Sequence, residues 1–198
     1  MKKILLLLSL LAVPFVFQHC CRDEVRNYSI DDFQVYMVKD SLFGVLADND
    51  SLPLGQHAFR AVPEVKLTQN YGAGSLMALT CYQTYRSLSG IQSIQLLAED
   101  GTFPGIRPGD SLQHLAEFKQ YGMHFSPDSG WMDARKLAAA MNDQMREGAS
   151  VRSRGMPQLE FMFRFKQATA PGRHRVQLRV KLSDGREALG QTESFVIY

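Results

Sequence analysis

Phe161-Met162-Phe163-Arg164-Phe165-Lys166 and, further on, Val176-Gln177-Leu178-Arg179-Val180-Lys181-Leu182 decide the fold class. Phe161, Phe163 and Phe165 alternate with Met162, Arg164 and Lys166; Val176, Leu178, Val180 and Leu182 alternate with Arg175, Gln177, Arg179 and Lys181. A period of two sends successive side chains to opposite faces of a pleated strand. The pattern therefore predicts two antiparallel strands, each with one side in a core and one in water. Ala170-Pro171-Gly172 supplies a turn between them, and Ser183-Asp184-Gly185-Arg186 supplies another of the Asp-Gly type. A last strand is predicted over about Thr192 to Tyr198, with Phe195 and Ile197 on one face.

Working toward the N-terminus, the same alternation recurs in Phe33 to Val38, where Phe33, Val35 and Met37 share a face, and in Ile91 to Leu97. Ser75 to Tyr85 is rich in apolar and aromatic residues and reads as a further core strand, joined to the next through Ser87 to Gly90. Glycine and proline make Asp100 to Asp110 irregular and punctuate residues 40 to 64, where only Leu42 to Leu46 suggests order. One helix stands out. Ala134, Leu137, Ala138, Met141 and Met145 recur at helical spacing, Asp133 or Ser129 can cap the start, and Gly148 is placed to end it. The stripe is a packing face rather than a ligand groove.

Together these segments predict a mainly β chain: an antiparallel β-sandwich, immunoglobulin-like in outline, with one α-helix inserted near residues 131–147. The single Trp131 falls in the helical region, so the Cys-Trp-Cys core of immunoglobulin domains is absent. Residues 21–198 form one domain after a signal peptide over residues 1–20, long enough to hide roughly 70% of its unfolded surface without a metal or disulfide scaffold.

The signal is read from Met1-Lys2-Lys3, an apolar run from Ile4 to Phe17 broken only by Ser9 and Pro14, and then Gln18-His19-Cys20-Cys21. A spanning helix needs roughly 20 apolar residues, so this run is an export signal rather than an anchor helix. A cysteine just after such a run resembles the lipobox of bacterial lipoproteins, whose thiol receives a diacylglycerol. Cys20 and Cys21 are both candidates for that lipidation, and ordinary cleavage with unmodified cysteines is the alternative. Arg22-Asp23-Glu24 is similar to the short charged export signals of Bacteroidota surface lipoproteins. Cys81 sits within an apolar stretch and reads as a buried, inert thiol.

Several segments resemble a family of uncharacterised Bacteroidota envelope lipoproteins, a domain of unknown function. They are the paired Cys20-Cys21, Ala78-Leu79-Thr80-Cys81, Ile91-Gln92-Ser93-Ile94, the helix ending near Asn142, and Leu182-Ser183-Asp184-Gly185-Arg186 before Thr192. The resemblance spans most of the chain and its motifs are structural. It implies a lipid-anchored β-sandwich-like domain in the envelope and carries over no catalytic residue.

Charge narrows the partners. The chain has 22 Lys and Arg against 20 Asp and Glu, and the excess of two is supplied by Lys2 and Lys3. A neutral mature chain argues against a dedicated nucleic-acid binder. The balance is uneven, with 8 basic and 14 acidic residues in 22–133 and 12 basic and 6 acidic in 134–198. The basic row Arg164, Lys166, Arg173, Arg175, Arg179 and Lys181 is predicted on outward strand faces. There it offers a patch for an anionic partner such as an acidic glycan, a lipid headgroup or a protein.

Catalytic motifs are missing. His57, His114, His124 and His174 are scattered singly, without the His-Glu-x-x-His spacing of a zinc peptidase. Gly72-Ala73-Gly74-Ser75 leads into a strand, unlike a nucleophile elbow or a phosphate loop. Asp48-Asn49-Asp50-Ser51 lacks the alternating ligands and closing Glu of a calcium loop. Asp128 and Asp133 flank Trp131, as a glycosidase's carboxylates flank a sugar platform, but helix capping is their simpler task.

The expectation is thus an exported, lipid-anchored envelope protein without cofactor or metal, at the outer membrane or cell surface, acting as an interaction or structural module. The alternative location is the periplasm or outside the cell. The alternative function is a hydrolase of the same envelope compartment for glycan or peptide, which would need a concave pocket gathering Asp128, Asp133, His114 or His124. Strand exchange through the C-terminal strand is a third possibility.

Overall fold

The computed structural model describes residues 24–39, 57–68, 83–100, 103, 105–120, 130–150, 159–166 and 171–197. The expectations for Cys20, Cys21, Leu42 to Leu46, Asp48 to Ser51, Gly72 to Ser75, Cys81, His124, Asp128 and Ser129 lie outside these residues.

The described residues are mainly β, with a single helix. In chain order they form β1 (Glu24–Lys39), β2 (His57–Thr68), β3 (Gln83–Ser87), β4 (Ile91–Ala98) and β5 (Ala116–Gln120). Then come α1 (Ala134–Ser150), β6 (Phe161–Phe165), β7 (Gly172–His174), β8 (Val176–Leu182), β9 (Glu187–Gln191) and β10 (Phe195–Ile197). The strands make a five-stranded sheet in the order β3-β1-β2-β6-β5, a three-stranded sheet β4-β8-β9 and a two-stranded sheet β10-β7.

Three sequence expectations are corrected here. First, β6 and β8 are not neighbours: β6 lies between β2 and β5, and β8 between β4 and β9. Alternation fixes which face a side chain takes and leaves the adjacent strand open. The short β7 intervenes and leads the chain to another sheet, starting from Gly172 at φ 148°, a conformation that favours glycine. Second, the pairing is not wholly antiparallel, because β3 runs parallel to β1, with Glu24 opposite Gln83 and Tyr28 opposite Ser87. The long connection after β2 can carry the chain past β1, as a parallel neighbour requires. Third, α1 continues to Ser150, past Gly148, and begins after Trp131. A glycine in a last turn costs about 1 kcal/mol and does not by itself end a helix.

Two strands, β4 and β1, carry irregularities that set the core. In β4 the register against β8 shifts between Ile91 and Ser93, so Ile91 and Ile94 are both buried although three residues apart. In β1 it shifts between Ile30 and Asp32, which lets Tyr28 and Ile30 share the buried face with Phe33 and Val35. The same irregularity brings Asp31 and Asp32 to the β8–β9 hairpin. Asp32 accepts a hydrogen bond from the Leu189 N–H at 3.1 Å, and Asp31 lies 3.9 Å from the Arg186 guanidinium. Beside this junction the sheets come very close. A Cβ on Gly190 would meet the Phe33 carbonyl oxygen and a Val35 methyl, both at 2.9 Å.

Most buried residues of the three sheets and α1 form one apolar cluster. Asp133 caps α1 by accepting the Lys136 N–H at 2.9 Å, and the helix buries Leu137, Met141 and Met145. Just before it, Met132 and Phe118 exchange backbone hydrogen bonds of 2.7 and 2.8 Å, so residues around Trp131 extend the sheet beyond β5. At the opposite side, aromatic rings join the two-stranded sheet to the five-stranded one. Phe59 stacks on Phe163 at 5.0 Å and tilts against Phe195 at 4.9 Å. His174, fully buried, packs between Phe103 at 4.7 Å and Phe195 at 5.6 Å.

Candidate functional site

The basic row does not form one ladder. Arg164 is on β6 in the five-stranded sheet, Arg173 on β7 in the two-stranded sheet, and Arg179 and Lys181 on β8 in the three-stranded sheet. Lys166 follows β6, and Arg175 lies between β7 and β8. In β8 the alternation is visible, with Val176, Leu178, Val180 and Leu182 buried and Lys181 exposed, whereas in β6 Met162 is buried along with Phe161 and Phe163.

The outward face of β6 is nevertheless covered. Arg164 donates from Nε to Glu117 Oε1 at 2.6 Å, and its guanidinium lies 4.0 Å from the centre of the Trp131 ring. Trp131 also packs against Val38, Ala58 and Met162, a second small cluster on the outer side of the sheet. In the three-stranded sheet, Arg179 is 3.7 Å from Glu187, which stands opposite Lys181 in the ladder. The exposed members are therefore Lys166, Arg173, Arg175 and Lys181, set on separate elements. Of these, Lys166 Nζ donates to the His114 carbonyl at 3.5 Å, and the Arg175 backbone N–H donates to Asp100 at 3.0 Å.

Of the carboxylate and imidazole candidates, Asp133 and His114 are described, and they stand on separate elements. Asp133 serves α1: the Lys136 N–H, and after it the Arg135 N–H and both cationic side chains, hold its carboxyl below the usual carboxylate range. His114 sits in the turn before β5. Among the described residues, no group of three or more His, Cys, Asp or Glu is placed to hold a metal ion. Likewise, no described helix is long and apolar enough to cross a membrane.

What the described residues do build is a groove of about 380 Å³ between the β3–β4 corner, α1 and the β8–β9 turn. The corner is fixed from its backbone. The Leu88 N–H donates to the Tyr28 carbonyl at 2.9 Å, and Ser87 Oγ donates to the Ser89 carbonyl at 2.6 Å. This leaves the Leu88 side chain 53% exposed at the opening.

Two side chains then lock the corner to its neighbours. Asn142 of α1 accepts the Ile91 N–H through Oδ1 and donates through Nδ2 to the Ile91 carbonyl, both at 2.8 Å. Ser183 Oγ accepts the Gly90 N–H at 2.9 Å, while its own N–H donates to the Gly90 carbonyl at 2.8 Å. Behind them, Arg186 is pinned to Asp184 at 2.8 Å. The Arg186 guanidinium and backbone N–H keep the Asp184 carboxyl below its ordinary range.

Two arginines line the groove. Arg146 pairs with Asp143 one helical turn away, both side chains well exposed. Arg86, also exposed, makes no side-chain ion pair or hydrogen bond among the described residues. Among the described residues the lining contains no Asp, Glu or His. Its chemistry is that of hydrogen-bond donors and positive charge, with Leu88 as apolar surface.

Sequence reasoning missed this groove. Asn142 and Arg146 stand four residues apart, on one helical flank, and Arg86-Ser87-Leu88-Ser89-Gly90 is a polar corner with one exposed leucine. Those signals exist, but nothing in the sequence says that this helix crosses that corner.

No protein-family model matches the chain, and no curated protein matches it. Among solved structures it has a weak similarity to the C-terminal domain of the antigen I/II polypeptide BspA of Streptococcus agalactiae. The identity is 12% and the TM-score 0.30, covering 85% of this chain and 50% of that one. A second is the C-terminal domain of the antigen I/II-family protein AspA of Streptococcus pyogenes, at 12% identity and TM-score 0.28, covering 82% of this chain and 46% of that one. The chain thus spans about half the length of these solved chains.

Proposed function

We propose that the chain is an exported protein of the cell envelope, held by lipid on Cys20 or Cys21 at the outer membrane or cell surface, where it serves as an interaction or structural module. The observation that carries this reading is the N-terminal stretch: Lys2-Lys3, the apolar run Ile4 to Phe17 and the cysteine pair. Its partners are the membrane, through the anchor, and an anionic glycan or protein; the balanced charge argues against a dedicated nucleic-acid binder. In the finer reading of the fold, the five-stranded and three-stranded sheets are the layers of a β-sandwich with α1 across one end. One apolar cluster shared by both sheets supports it.

Metabolic labelling with a clickable fatty acid in a Gram-negative host tests the anchor. The wild-type chain takes up label, and either Cys20→Ser or Cys21→Ser abolishes it. A chain that stays unlabelled while it is exported and cleaved would overturn the anchor and leave a secreted protein.

A further inference from the structure

We propose that the groove between the β3–β4 corner and α1 binds a small saccharide bearing a negatively charged oxyacid group, a carboxylate or a phosphate. The inference deepens the proposed interaction role and rests on it, but not on the lipid anchor. Binding and acylation can therefore fail separately.

Three observations converge on an anion. Arg86 has no counter-charge among the described residues. Arg146 is held only by Asp143 in a pair exposed at both ends, which a ligand can replace at small cost. Among the described residues no Asp or Glu lines the groove, and the carboxylates beside its lining are engaged, Asp143 by Arg146 and Asp184 by Arg186. A described lining of donors and cations selects for negative oxygen.

Further donors lie at the groove wall. Ser183 Oγ accepts from Gly90 and so keeps its own proton to give. Asn142 uses one Nδ2 proton on the Ile91 carbonyl and has a second. A sugar explains the rest of the lining. Leu88, 53% exposed, offers apolar surface suited to the C–H side of a pyranose. The neighbouring hydroxyls and backbone groups suit its alcohols. At about 380 Å³ the groove has the size of a small-molecule site.

Calorimetric titration of the full-length chain in a non-ionic detergent tests this, with glucose 6-phosphate, glucuronate, glucose and inorganic phosphate as probes. Saturable binding is expected of at least one anionic sugar and not of glucose. The double variant R86Q/R146Q should weaken it at least tenfold. Asp143→Asn should tighten it two- to threefold by releasing Arg146. Lys181→Gln, on a different sheet face, should leave it unchanged.

Circular dichroism establishes that the variants, all at exposed positions, remain folded. The proposal is overturned if neither anionic sugar binds saturably, if glucose binds as well, or if K181Q loses as much as R86Q/R146Q. Inorganic phosphate binding as tightly as glucose 6-phosphate would overturn its saccharide half.

Discussion

Tyr28 and Gly190 show how much one residue can carry in this fold. Tyr28 is 1% exposed, and burial pushes its phenol up to about 12, with the nearby Ser87 hydroxyl opposing only in part. In the unfolded chain the phenol ionises near 10, so the folded state holds its proton more tightly. The resulting stability is fully present below pH 10 and is lost as pH rises from 10 through about 12. Tyr28→Phe has no proton to lose there. Its urea-unfolding free energy should fall less between pH 9 and pH 11 than that of the wild type, by roughly 1 kcal/mol. Gly190 acts through space rather than charge. Its missing Cβ leaves room for the Phe33 carbonyl, and backbone at 2.9 Å cannot swing aside as a side chain can. Gly190→Ala should cost roughly 1–3 kcal/mol in the same assay. A neutral result would mean that the two sheets slide apart at that point.

At the level of elements, the Asn142 bridge attaches α1 to the backbone of β4. Asn142→Ala removes both hydrogen bonds at Ile91 and leaves a peptide N–H and C=O without their partner. It should destabilise the protein by about 2 kcal/mol in denaturant unfolding, more than a change at an exposed helix position. What the sequence disclosed was also elemental. The alternation in Val176 to Leu182 names the buried face of β8 residue by residue, and the stripe from Ala134 to Met145 names that of α1. Local periodicity could do this because each pattern is completed within one element. It could not reveal that Ile91 and Ile94 share a face, since that requires a bulge, nor that Met162 is buried opposite Phe161 and Phe163. Met162 is covered by Trp131, which is distant in sequence.

For the whole molecule, the decisive contacts lie between sheets, and they were the least legible. The basic row looked continuous in one dimension and is divided over three sheets in space. The groove joins Arg86, Asn142 and Ser183, which no single window of sequence contains. Phe195, on the last strand, meets Phe59 of the five-stranded sheet and His174 of the two-stranded one. Phe195→Ala should therefore cost about 3–5 kcal/mol, near the total stability of many domains, and lower the thermal midpoint accordingly. A loss below 1 kcal/mol would show that the small sheet contributes little to holding the fold together.

The pairing of Phe59 with Phe163 has a temporal consequence. β2 must wait for a strand about a hundred residues later, and closing so long a loop makes assembly slow. Until β6 arrives, the sheet can hold only β3, β1 and β2, and its apolar face lacks Phe161 and Phe163, the rings that pack on Phe33 and Phe59. A chain drawn N-terminus first through a translocation channel would thus reach the far side still unfolded, because the segment that commits it to its native shape is among the last to enter.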